Sequence, residues 1–186
     1  IRSILDDESF EPEFETLDLD EELAAEVAHA EHAYPNADIS VVDMNISVVA
    51  GDMLNRVFRN LFENAIEHNT GEVTITVSAT VNDGKVTITV ADNGDGIPPA
   101  DRETLFEPPT TGDHGYGMFL TRNLVKMYNG TLRLVDTGED GTTFTIELMA
   151  ADNEPVERVT DASAATNVKS GTGSGSSASG ISVEKN

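Results

Sequence analysis

A chain of 186 residues with 34 acidic against 11 basic side chains carries a formal charge of −23, and that acidity excludes several classes of partner before any motif is read. A carboxylate-rich surface repels polyphosphate backbones and anionic lipid, so neither a basic nucleic-acid interface nor direct membrane contact is expected. Hydrophobic residues at 38% still allow the core of one domain with tails, and the absence of cysteine rules out disulfides, thiolate metal sites and a thiol nucleophile.

In chain order, Ile1, Ile4 and Leu5 read as the last turn of an upstream helix, and Pro12 leads into an extended linker up to residue 17. A start at Ile rather than Met fits a piece of a longer chain. With no apolar run near the roughly 20 residues of a membrane span and no signal peptide, a cytoplasmic setting is expected. Asp20 is expected to cap a helix through about His32, with Glu21 and Glu22 at the positive end of its dipole. His29 and His32 then fall on an exposed polar face. Two short β-like runs follow, Ile39 to Val42 and Ile46 to Val49. The spacing of Leu54, Val57, Phe58, Leu61, Phe62, Ala65 and Ile66 predicts a helix over residues 52–68.

Strict alternation from Val73 to Val90, turning at Asn82-Asp83-Gly84, predicts a hairpin with one apolar and one threonine-rich face. A sheet built from such strands is covered by helices on one side only. From Asn93 to Gly117 the pattern gives way to Gly, Pro, Asp and Thr, a connection long enough to be a functional lid. A helix from about Met118 to Tyr128 and a second hairpin from Leu132 to Leu148 complete the pattern. Beyond Ala150 the chain turns acidic and then Gly/Ser-rich, and residues 151–186 are expected to be disordered. The four histidines lack metal-ligand spacing, so no zinc site is expected.

Three features converge on nucleotide binding. In NLFENAIEHN, Asn60 to Asn69, amides occupy helix positions usually given to charge, and an amide oxygen can ligate Mg²⁺ without repelling a triphosphate. Asn64 is the better ligand candidate because His68, one turn on, can lean toward the same phosphates; two solvated asparagines would show the same letters. In DNGDGIP, Asp92 to Pro98, an acid at a strand end can accept from the exocyclic amine of adenine, and Gly94 and Gly96 let backbone approach a ligand closely. An Asx-capped turn is the structural alternative. In GDHGYGMFL, Gly112 to Leu120, glycines lead into a helix N-terminus, which attracts phosphate.

In this order the motifs resemble the catalytic ATP-binding domain of two-component sensor histidine kinases, within the superfamily shared with gyrase, Hsp90 and MutL. The resemblance runs from about Leu17 to Met149 and includes the N box (NLFENAIEHN), G1 box (DNGDGIP), F box (LFEP, Leu105 to Pro108) and G2 box (GYGMFL). It implies an α/β (α+β) two-layer sandwich over residues 18–150, with a mixed β-sheet, helices on one face and a long ATP lid. It further implies that Asn64 ligates Mg²⁺, that Asn60 and His68 contact the phosphates, and that Asp92 binds the adenine amine. Gly94 and Gly96 would shape the base pocket, Gly115 and Gly117 would fold the lid, and Thr142 would support the adenine-binding acid.

Hydrolysing relatives carry a glutamate base one helical turn before the magnesium asparagine, where this chain has Asn60, so a kinase is expected rather than an ATPase of the gyrase type. The alternatives are a nucleotide-binding regulatory module without transfer activity and, disfavoured by Asn60, an ATPase of the gyrase or Hsp90 type. Asp113 stands in the G2 box where many kinases have glycine. None of the four histidines sits in a phosphoacceptor motif, so the expected partners are a histidine-containing dimerisation domain, which would make the full-length protein a homodimer, and a downstream response regulator. The acidic excess, expected mainly in the tails, the first helix and the turns, with few acids near the phosphates, suggests adaptation to molar salt.

Overall fold

The computed structural model describes residues 13–69, 71–108 and 116–151, and the spacings read above resolve there into seven strands and four helices. Glu15–Asp18 (β1), read as linker, is a strand paired antiparallel with Ser47–Ala50 (β3). Leu19–Ala33 (α1) follows at once, capped by Asp18, whose carboxylate accepts from the amides of Asp20 at 2.9 Å and Glu21 at 3.4 Å. Asp20, the expected cap, turns instead to the loop before β3, where its two oxygens accept from the amides of Met44 (3.1 Å) and Asn45 (2.7 Å) and tie that loop down. Asn45 sits there in the left-handed region at φ 48°. His29 and His32 are exposed on α1.

Ala37–Val41 (β2) pairs in parallel with Val73–Asn82 (β4), and every other pairing is antiparallel, which makes the sheet mixed. Lys85–Asp92 (β5) returns from β4 through Asp83 and Gly84, both at positive φ, the backbone that matches strand twist in two-residue hairpins. Thr131–Gly138 (β6) and Gly141–Ala150 (β7) form the second hairpin. The order is β1-β3-β7-β5-β4-β2. One edge of β7 faces β5; along the other, β6 covers residues 141–147 and β3 takes over at 149–150.

Alternation decides the layers. Val73, Ile75 and Val77, with Val86, Ile88 and Val90, are buried toward the helices, while Thr74, Thr76 and Thr80 remain exposed. Leu54–Glu67 (α2) supplies the helical side of the core through Leu54, Val57, Phe58, Leu61, Phe62 and Ala65, and it packs against both α1 and Tyr116–Met127 (α4). The long connection after β5 contains one short helix, Pro99–Arg102 (α3), and α4 begins two residues earlier than the expected Met118. Phe106 of the F box packs edge-on against Phe144 of β7, 6.4 Å between centroids, with the Arg122 guanidinium 5.2 Å above its ring. The expected upstream helix end, Gly115, Asp113 and the C-terminal tail lie outside the described residues.

Candidate nucleotide-binding site

The last two turns of α2, the end of β5, the α3 region and the start of α4 enclose a cavity of about 810 Å³, within the size range of small-molecule sites. Asn60, Asn64, His68, Asp92, Gly96, Gly117 and Thr142 all line it, so seven residues spread over 83 positions of sequence meet at one cavity. Gly94 lies behind the wall, and Gly115 lies outside the described residues.

At one end stand the α2 amides. Asn60 donates through Nδ2 to Thr121 Oγ1 (3.0 Å), and the Thr121 hydroxyl donates in turn to the Gly117 carbonyl at 2.8 Å. Thr121 is fully buried, so this relay fixes the Asn60 amide against α4. The Asn64 side chain makes no hydrogen bond among the described residues, and His68 ends the helix, exposed at the cavity edge.

At the other end stands Asp92. Its Oδ1 accepts from the Gly94 amide (2.9 Å) and the Thr142 amide (3.2 Å), with Asn69 Nδ2 at 3.5 Å, whereas Oδ2 takes no hydrogen bond from the described residues. Behind it, the Thr142 and Thr137 hydroxyls lie 3.2 Å apart, and Thr137 Oγ1 accepts the Ile97 amide at 2.7 Å, so the β6–β7 hairpin holds the turn after β5. The two glycines of that turn make room for protein. Gly96, at φ +73°, lies where a Cβ would run into the Gly138 carbonyl, and a Cβ on buried Gly94 would overlap the Asn69 amide.

The wall is acidic. Glu63, Glu67, Asp92, Asp95, Asp101 and Glu107 line the cavity, and among the described residues no lysine or arginine does. This corrects the expectation of few acids near the site: the polar face of α2 that carries Asn60 and Asn64 carries Glu63 and Glu67 as well, and the lid-side loops add the rest. Sequence reasoning also passed over Asn69, Thr121 and Thr137, each of which has, besides a local partner, one lying between 23 and 61 residues away. Asn69 closes the N box, and a third amide just past the helix end was the one available signal. Among the described residues no group of three His, Cys, Asp or Glu side chains could hold a metal ion, and no helix there is long and apolar enough to cross a membrane.

Residues 50–152 match the family described as histidine kinase-, DNA gyrase B-, and HSP90-like ATPase. The sensor protein KdpD of Mycobacterium tuberculosis is 34% identical over 123 residues, 61% of this chain and 14% of that protein. The sensor-like histidine kinase SenX3 of Mycolicibacterium smegmatis is 28% identical over 150 residues, 74% of this chain and 39% of that protein. The chain thus spans well under half the length of these relatives. The mycobacterial sensor histidine kinase MprB shares the fold, with a TM-score of 0.65 and 21% identity over 73% of this chain and 98% of that one. The chain therefore belongs to the family of histidine kinase-, gyrase B- and HSP90-like ATPases, and the matched residues form a catalytic ATP-binding domain of the sensor histidine kinase type.

Proposed function

We propose that the cavity binds ATP with Mg²⁺ and presents the γ-phosphoryl to a histidine of a dimerisation domain, in a cytoplasmic two-component system whose next partner is a response regulator. The observation that carries this reading is Asp92, a carboxylate with one oxygen saturated by backbone amides and the other unclaimed on the wall of a nucleotide-sized cavity. Such an acceptor suits the adenine amine and disfavours a guanine carbonyl. Thr142 steadies Asp92 through its amide. Gly94 and Gly96 allow the turn its close packing, and Gly115 and Gly117 belong to the lid side.

The donor set fits Mg²⁺. Asn64 offers a neutral amide oxygen that no other group among the described residues uses, and a small hard cation that keeps its waters needs few protein ligands when phosphates supply the rest. Asn64 would hold the ion, with Asn60 and His68 beside the phosphates. When bound, the cation neutralises charge on the β- and γ-phosphoryl oxygens. Asn60 cannot take a proton, and its amide is already committed to Thr121, so that position activates no water. Transfer then needs alignment: the bond from γ-phosphorus to the β–γ bridging oxygen breaks as the acceptor imidazole nitrogen bonds to phosphorus, and ADP leaves.

Calorimetry with the 186-residue chain tests the site. Asp92→Asn should weaken magnesium-dependent ATP binding about a hundredfold, since a hydrogen bond to a charged group is lost, and Asn64→Asp should abolish it, because a carboxylate at that position repels the triphosphate. Adding a phosphoacceptor domain with γ-labelled ATP should give acid-labile label on that domain. Steady ATP turnover by the chain alone would favour a hydrolase instead, and absence of ATP binding would sink the reading.

A further inference from the structure

We infer that Asn69 is a positioning residue for base recognition: its amide joins the end of α2 to the turn after β5 and leaves Asp92 Oδ2 as the one acceptor presented to the nucleobase. This rests on the nucleotide reading above and adds the residue that enforces its specificity.

Asn69 follows the helix cap His68, and its side chain folds back so that both its donor and its acceptor are used. Nδ2 donates to the Ala65 carbonyl, one of the last carbonyls of α2, and lies 3.5 Å from Asp92 Oδ1. Oδ1 accepts the Asp95 amide at 2.7 Å. One amide therefore touches the helix that carries Asn60, Asn64 and His68 and the turn that carries Asp92, and so sets the span between the phosphate end and the base end of the cavity.

The glycine beside it reports how tightly this amide is seated. Gly94 is buried with the Asn69 side chain where its own Cβ would stand, so side chain and turn interlock. The Gly94 amide, in turn, is the shortest donor to Asp92 Oδ1, at 2.9 Å. With Thr142 pressing from the β7 side at 3.2 Å and Asn69 from the α2 side, the carboxylate is held against rotation. A fixed acceptor discriminates: it rewards an exocyclic amine and meets a carbonyl at the same ring position with repulsion. Loosening it lets the carboxylate swing away, which weakens the amine contact and relieves the repulsion on a 6-carbonyl purine.

The test is calorimetric binding of magnesium-ATP and magnesium-inosine triphosphate to the full chain. Asn69→Ala should weaken ATP binding about tenfold and leave inosine triphosphate binding as tight or tighter. In an Asp92→Asn background the same substitution should have no further effect, because two residues acting through one contact are not additive. Inosine triphosphate binding that survives in Asn69→Ala separates positioning from folding, because a misfolded chain would lose both nucleotides. Equal loss for both nucleotides, or a full tenfold loss persisting without the Asp92 carboxylate, overturns the inference while the ATP site stands. A wild-type chain that binds neither nucleotide overturns the ATP site and this inference together.

Discussion

Tyr128, just past the end of α4, is 2% exposed, with its ring beneath Gly51 and edge-on to Phe14 at 6.3 Å. Its hydroxyl is buried without a hydrogen bond of normal geometry. Burial pushes the phenol pKa up from 10.0; the Met53 backbone works against it, and Asp52 adds a smaller push upward. A phenol whose pKa is raised by folding keeps its proton in the native state after the unfolded chain has lost its own. The stability this contributes is complete below about pH 10 and is lost as pH rises through the folded value. Tyr128→Phe should remove that alkaline loss and, by deleting an unpaired buried hydroxyl, leave the neutral-pH stability equal or higher by up to about 1 kcal/mol. Urea unfolding between pH 8 and 11 measures both; a Phe variant several-fold less stable at pH 7 would mean the hydroxyl is bonded after all.

Between elements, the joint of α1 and α2 rests on one ion pair: Arg59 reaches Glu26 through Nε at 2.8 Å and through a second guanidinium nitrogen at 2.9 Å. Glu26 is 3% exposed, so Arg59→Met leaves a carboxylate in the core without its partner. We expect a loss of about 2 kcal/mol, at the low end for a broken buried pair because the guanidinium itself is partly in water. The double variant Glu26→Met/Arg59→Met should regain most of it in chemical denaturation, and equal instability of single and double variants would assign the joint to packing. Elements of this size were legible wherever periodicity is local: the α2 stripe and both hairpins follow from spacing, and each nucleotide box is contiguous. What stayed illegible depends on partners distant in sequence. β1 is four residues whose meaning comes from pairing with β3. Asp18 and Asp20 are equivalent as letters, and the Met44 and Asn45 amides decide which of them is free to cap. Likewise Asn60, Asn64 and Asp92 could be read from their motifs, whereas of the residues that orient them Asn69 is marked only by its place at the end of the N box, and Thr121 and Thr137 carry no local mark.

For the molecule as a whole, the −23 charge and the acidic cavity wall act in the same direction. Both oppose compaction and the entry of a tetra-anionic nucleotide, and both weaken as the Debye length shrinks from about 10 Å at 0.1 M salt to about 3 Å at 1 M. Raising KCl from 0.1 to 2 M should therefore raise the melting temperature and tighten magnesium-ATP binding; flat values for both would show that the carboxylates are already compensated. The sheet adds a constraint in time. β7 is the last strand made among the described residues, yet β3, β5 and β6 all pair with it, and the Thr142 amide that reaches Asp92 arrives on it. A chain still leaving the ribosome holds unpaired edges until residue 150 emerges, and it holds an unfinished base site for the same interval. Completion of the sheet and competence to recognise nucleotide are thus a single event, so a prematurely terminated chain is left with neither.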